Sequence, residues 1–352
     1  MKRLDGKRVL LIAPRFFGYE REIRSEIERR GAVVDWLADR PFDTPLMTAL
    51  TRHRPQWVLP SATRLYQRQL SQMGATHYDT ILVVNGQTLS RQMLGSLRTS
   101  FPAARVVLYM WDSIDNRRGA VENLPLFDTT FSFDPLSARS HGMRLRPLFF
   151  SKGFERAPSD DFDYHLSFVG TAHTDRYAVV SRLRRSLPAE LRAYWYLYLQ
   201  APWVYQAYRL TNPDMRQARR EEFEFQPLGK SVVQSVFSRS LAIVDIEHPR
   251  QRGLTMRTFE TMGSHKKLVT TNAQVRDYDF FNDSNICVID RADPRVTVGF
   301  LNSPFSPVAP ELYRRYSIEG WVDEVLELDD THDTAGDTAV SAPALAMQGV
   351  PR

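Results

Sequence analysis

A single cysteine in 352 residues, Cys287 in the apolar run Asn285-Ile286-Cys287-Val288-Ile289, excludes a disulfide framework and a thiolate cluster for zinc. The chain therefore reads as intracellular. Long aliphatic runs are also missing. The most membrane-like stretch, residues 194–210 (YWYLYLQAPWVYQAYRL), is aromatic and is interrupted by Gln200, Pro202 and Gln206, so it does not read as a uniform span. A buried strand followed by an aromatic loop is expected there, with interfacial membrane contact as the alternative. The basic amino terminus leads only into the short apolar run Val9-Leu10-Leu11-Ile12-Ala13, less than a signal-peptide core, so nothing directs export. No G-x-G-x-x-G follows that run, which argues against dinucleotide binding of the Rossmann type. No D-x-D triplet stands at a strand end either, and no metal ion or cofactor is expected.

The net charge is +5, and residues 329–352 carry four Asp and one Arg, which leaves the rest of the chain more basic still, at +8. A basic body suits phosphate-bearing ligands or an anionic membrane surface. Zinc-finger spacing, an RNP-type aromatic signature and dense Lys/Arg runs are all missing, so no nucleic-acid partner is expected.

What the sequence does contain is strand after strand. Apolar runs at 9–13, 33–37, 80–84, 105–110, 130–133 and 146–150 alternate with helical patterns, the sign of a parallel sheet covered on both faces. The composition turns polar and acidic at 157–163, and a second series follows at 165–170, 193–199, 241–246, 267–271 and 286–289. At 43% hydrophobic content the chain can supply two cores. The expected fold is α/β, with two Rossmann-like domains facing a cleft. The first would occupy residues 1–156 and the second 164–310. A C-terminal helix would fill 311–329, and a disordered tail 330–352, where apolar groups are too few to offset the entropy of ordering. In such folds ligands sit outside the carboxyl ends of the strands.

The most informative segment is residues 248–272, HPRQRGLTMRTFETMGSHKKLVTTN. A glycine, a helix bearing Arg257 and Glu260, a second glycine and a buried strand suit a nucleotide site. Helix amino termini favour phosphate, and a carboxylate can bind ribose hydroxyls. Spacing alone also permits a plainer reading, an Arg257–Glu260 surface pair at i, i+3.

Arg257-Thr258-Phe259-Glu260-Thr261-Met262-Gly263 followed by Leu268-Val269-Thr270 resembles the donor-site segment of group 1 and CgeB-like glycosyltransferases of the GT-B type, the kind found in bacterial lipopolysaccharide and capsule biosynthesis. Residues 278–290, and HLSFVG at 165–170 followed by Arg176, resemble neighbouring regions of the same family. The resemblance implies a metal-independent transferase with a nucleotide sugar as co-substrate and a surface polysaccharide or lipid-linked glycan as acceptor. It implies work in the cytoplasm, at the inner face of the membrane, with peripheral membrane contact. Glu260 would accept the ribose hydroxyls, Arg257 would lie near the pyrophosphate, and Gly253, Leu254 and Thr255 would line the donor. Many retaining members carry an acidic residue at the start of this motif where this chain has Arg252, which speaks against retention.

Arg176 and His173, in the loop after the first strand of the second series, are further donor-binding candidates, although a solvated arginine and an incidental loop histidine are the plain alternatives. Arg15 and Gly18, after the first strand, are acceptor-side candidates. Inverting transfer needs a base beside the acceptor hydroxyl. Asp112, just past a strand's carboxyl end, is the candidate, with Asp115 behind it; an Asp that caps the following turn is the alternative. Two other functions fit the pattern: a catalytically silent sugar-nucleotide-binding subunit of a polysaccharide assembly complex, and a nucleotide-sugar epimerase.

Overall fold

The structure is a computed structural model that describes residues 4–40, 55–75, 77–114, 118–159 and 161–328. The expected disordered tail at 330–352 and the second base candidate Asp115 lie outside the described residues. The first half alternates β1 (Arg8–Ala13), α1 (Tyr19–Arg29), β2 (Val33–Ala38), α2 (Pro55–Met73), β3 (Thr80–Val84), α3 (Arg91–Ser100), β4 (Arg105–Met110), β5 (Thr129–Ser132), α4 (Pro135–His141) and β6 (Arg144–Leu145). The second runs β7 (Tyr164–Thr171), α5 (Arg176–Ser186), β8 (Ala193–Tyr198), α6 (Pro202–Thr211), α7 (Lys230–Ser238), β9 (Ser240–Asp245), α8 (Met256–Gly263), β10 (Lys267–Thr270) and β11 (Ile286–Val288). Helices α9 (Val298–Asn302), α10 (Pro310–Arg315) and α11 (Ile318–Val325) close the described chain.

Both sheets are parallel, as near-continuous apolar strands require. The first has the order β2-β1-β3-β4-β5-β6 and the second β11-β10-β9-β7-β8. Counted from its own first strand, the second sheet is wound in the same sense as the first: strand one pairs with strand two on one side and strand three on the other. Each sheet thus has one switch point, β1/β3 in the first and β7/β9 in the second. Loops diverge there and leave a crevice at the carboxyl ends.

Three sequence expectations move. The strand expected at 146–150 lies earlier, as the two-residue β6; Phe150 instead bridges Ser317, drawing the chain toward its own C-terminal segment. β8 is an edge strand on which only Leu197 is fully buried, because the sheet ends there. The aromatic loop is helix α6, in which Pro202 occupies the first turn, where its missing N–H costs nothing.

The C-terminal helices return to the first half. Trp321 on α11 is completely buried, edge-on to Tyr109 of β4 at 4.8 Å and 5.0 Å from Phe149. Arg30, at the end of α1, pairs with Asp323 and with Glu26 at 2.9 Å, and donates to the Glu319 carbonyl at 2.8 Å. Removing one member of so buried an ion cluster costs about 3–5 kcal/mol. One core cluster thus contains Val107, Phe131 and Phe149 of the first half together with Leu254, Phe259 and Met262 around α8, and Trp321.

Candidate functional site

At the β7/β9 switch point, four strand ends converge on one charged cluster. Arg176 opens α5 directly after the β7 loop, and its Nε donates to the Ile246 carbonyl at 2.6 Å. Its Nη1 lies 3.2 Å from His173 Nε2 in the same loop. Burial lowers the Arg176 pKa. His173 is held down to about 4, by burial first and then by the positive charge of Arg176 and by His248. A neutral imidazole that accepts from the guanidinium agrees with both observations. His248, after β9, is lowered too, by burial and then Arg250.

Arg291, three residues past β11, braces the opposite wall. It donates to Asp175 Oδ2 at 2.7 Å and to Glu247 Oε1 at 2.5 Å, while Thr271 donates to Glu247 Oε2 at 2.5 Å. Asp175, Glu247, His248 and Arg291 were missed in the sequence reading. Their signal was position alone, since each stands within a few residues of a strand's carboxyl end.

Asp245, the last residue of β9, ties α8 to this wall. Its Oδ2 accepts from the Thr255 hydroxyl at 2.6 Å and the Thr258 hydroxyl at 3.0 Å. Thr255 therefore spends its side chain on Asp245 and not on its own helix. Arg257 and Glu260, one turn apart, are carried on the same helix. Glu260 is only 4% exposed, so the surface-pair reading fails. Its Oε1 accepts from the Tyr19 hydroxyl of the first half. Burial raises its pKa, against the opposing pull of Arg257 and the Tyr19 bond. Arg257 Nη1 is buried with no hydrogen-bond partner, while its guanidinium carbon lies 5.3 Å from the Phe237 ring centroid. Lys230, at the start of α7, completes the contact between the halves: its ammonium sits 4.0 Å from the Tyr19 ring centroid and pairs with Glu22 at 2.7 Å.

Gly253 and Leu254 are placed differently from the expectation of a backbone open to ligand. A Cβ on Gly253 would come within 2.6 Å of the Phe133 ring, and Leu254 is buried in the shared core. The close approach that the glycine permits is to Phe133 of the first half.

Across the cleft, the loop after β1 carries Arg15, Phe16, Phe17 and Gly18. Arg15 is exposed, 5.3 Å from the Trp36 ring centroid. Phe17 and Gly18 both have left-handed backbones, at φ 50° and 79°. The Phe16 N–H donates to Glu20 at 3.2 Å, and its ring lies 5.8 Å from Trp111 and 6.3 Å from Tyr19. Asp112, half-buried just past β4, accepts from Asn85 Nδ2 at 3.2 Å, and Asn85 Oδ1 accepts from the Trp111 N–H at 3.1 Å. A continuous run of contacts thus joins the Asp112 loop through Trp111, Phe16 and Tyr19 to Glu260.

No protein-family profile matches the chain, and no curated protein matches it. Solved structures do. HepE of Anabaena in complex with UDP-glucose aligns at TM-score 0.54 and 13% identity, over 91% of this chain and 99% of that one. A glycosyltransferase from Rickettsia africae aligns at 0.55 and 9%, over 91% and 99%. The catalytic domain of starch synthase IV from Arabidopsis thaliana, bound to ADP and acarbose, aligns at 0.52 and 10%, over 92% and 99%. At these identities the likeness is one of fold: two facing α/β sheets in the arrangement of GT-B glycosyltransferases.

Proposed function

We propose that the chain is a glycosyltransferase that moves a sugar from a nucleotide-sugar donor onto a surface polysaccharide or lipid-linked glycan. The observation that carries this reading is Arg257 Nη1, a buried cationic donor without a partner, on the helix that also holds the buried Glu260 carboxylate. Buried polar groups are nearly always satisfied, and an orphan at a strand-end crevice suits an anionic ligand. A nucleoside diphosphate presents phosphate to Arg257 and Arg176 and ribose hydroxyls to Glu260. Neutral His173 can exchange hydrogen bonds with phosphate or sugar.

Transfer then proceeds by inversion. The acceptor hydroxyl oxygen attacks the anomeric carbon as its proton passes to Asp112, the bond from that carbon to the phosphate oxygen breaks, and the electron pair leaves with the nucleoside diphosphate. Arg257 offsets the charge that develops on the leaving phosphate. Closure of the two halves excludes water.

The fold neighbours bound to UDP-glucose or ADP make uridine and adenosine diphosphosugars the first donors to try. The test is product analysis with radiolabelled nucleotide sugars, with and without cell-envelope glycan extract. Label in the glycan with release of nucleoside diphosphate supports transfer. An isomerised nucleotide sugar formed without acceptor means an epimerase, and donor binding without any product means a silent subunit.

A further inference from the structure

Helix α6 has no acidic residue and two unlike faces. Its inner face is fixed by Tyr205, which is buried and donates to the Ala218 carbonyl at 2.9 Å. On the outer face Trp203 is 72% exposed and Leu210 81% exposed, so two large apolar side chains meet water. Seven residues apart, they stand on one side of the helix, separated by two turns or about 10.5 Å.

Arginines accompany this pair in the chain. Arg209 stands just before Leu210 on the same helix, 5.8 Å from the Tyr205 ring centroid, and Arg216, Arg219 and Arg220 follow on the segment that returns against α5, all exposed. Between that segment and α5 lies a groove of about 670 Å³, into which Arg182, Arg184 and Arg185 also project. Two carboxylates share it, and both make only long ion pairs: Asp214 lies 3.8 Å from Arg182, and Glu222, which accepts from the Tyr177 hydroxyl at 2.9 Å and the Arg219 N–H at 2.8 Å, lies 3.9 Å from Arg184. Among the described residues, Arg185, Arg209, Arg216, Arg219 and Arg220 form no ion pair.

We propose that this face docks on an anionic lipid surface. Tryptophan and leucine on one side of a short helix, accompanied in the chain by arginines without a carboxylate partner, match the chemistry of a bilayer interface. The apolar groups enter below the headgroups and the guanidinium groups stay at phosphate level. Tryptophan and arginine also serve protein interfaces; what favours a lipid surface here is charge, since α6 carries no acidic residue and the arginines of the groove outnumber its two carboxylates. No described helix is long and apolar enough to cross a membrane, so this contact is peripheral. The face borders the crevice: Asn212, the residue that ends α6, reaches the Thr174 carbonyl in the His173–Arg176 loop at 3.5 Å. Docking itself does not rest on the proposed activity; combined with that activity, it brings the donor crevice beside a lipid-linked acceptor.

The test is flotation of the full chain with vesicles of phosphatidylcholine alone and of phosphatidylcholine with phosphatidylglycerol. The chain is expected to float with the anionic vesicles only, and less as salt is added. The double variants Trp203→Ser/Leu210→Ser and Arg216→Glu/Arg219→Glu, all at exposed positions, should each lose about tenfold or more in partitioning, with unchanged circular dichroism. Failure of the wild type to float, equal flotation with both vesicle types, or variants that float like the wild type would overturn the proposal. So would retention on a heparin resin without vesicle binding, which would assign the arginines to another polyanion.

Discussion

Tyr19, the first residue of α1, donates its phenolic hydrogen to Glu260 on α8, so one buried hydrogen bond joins the two halves at the carboxylate proposed to hold ribose. Burial, and then the charge of Glu260, raises the tyrosine pKa well above its ordinary value, so the hydroxyl keeps its proton and remains a donor.

Under the proposed function, a ribose hydroxyl takes the place of the tyrosine hydroxyl. Tyr19→Phe should then bind nucleotide at least as tightly as the wild type. The free protein should lose about 1–3 kcal/mol of stability, the cost of an unsatisfied buried carboxylate. Calorimetric titration and chemical unfolding measure the two effects. A Tyr19→Phe variant that loses nucleotide affinity would make the tyrosine part of the binding site and not its stand-in.

Asp112 carries the proposed proton transfer, so Asp112→Asn should keep nucleotide affinity and lose about 100- to 10,000-fold in turnover. The Asn85 contact at 3.2 Å gives no reason to expect misfolding, because an amide can accept the same bond. Turnover within threefold of wild type, measured with the same acceptor extract, would remove Asp112 from the chemistry.

His173 supplies a pH dependence. Its pKa lies at about 4 in the folded chain, against about 6.5 unfolded. Between those values the unfolded chain binds more protons, so this contribution to stability is complete above about pH 6.5 and is lost progressively toward pH 4. His173→Gln should therefore lose less melting temperature than the wild type when the pH falls from about 7 to about 5. Parallel losses in the two proteins would mean that the imidazole is not held neutral by the crevice.

The strands were legible because parallel strands covered on both faces are apolar along their whole length, as Val9-Leu10-Leu11-Ile12-Ala13 and Ile81-Leu82-Val83-Val84 are. Their order was not, since pairing β1 with both β2 and β3 is a long-range choice that no local pattern records. Aromatic density misled the reading of 194–210. Rings at an edge strand and on an exposed helix face look in sequence like rings in a core, and only the end of the sheet at β8 separates the two cases.

The candidate site was legible in part. The Arg257–Glu260 spacing put both residues on one helix turn, and the β7 loop put His173 beside Arg176. Glu260 meets Tyr19, and Gly253 meets Phe133, only through the docking of the two halves. Arg291 closes on Asp175 and Glu247 from a strand that precedes neither of them.

Isothermal calorimetry of UDP, GDP, ADP, CMP and dTDP, and then of their sugars, against the wild type, Glu260→Ala and Glu260→Gln is the most direct test of a nucleotide-sugar crevice at α8. At least one nucleotide is expected to bind, and both variants, folded by circular dichroism, to lose about 10- to 100-fold in affinity, the worth of hydrogen bonds to a charged group. Absence of binding by every nucleotide, or affinity unchanged in both variants, would contradict such a crevice.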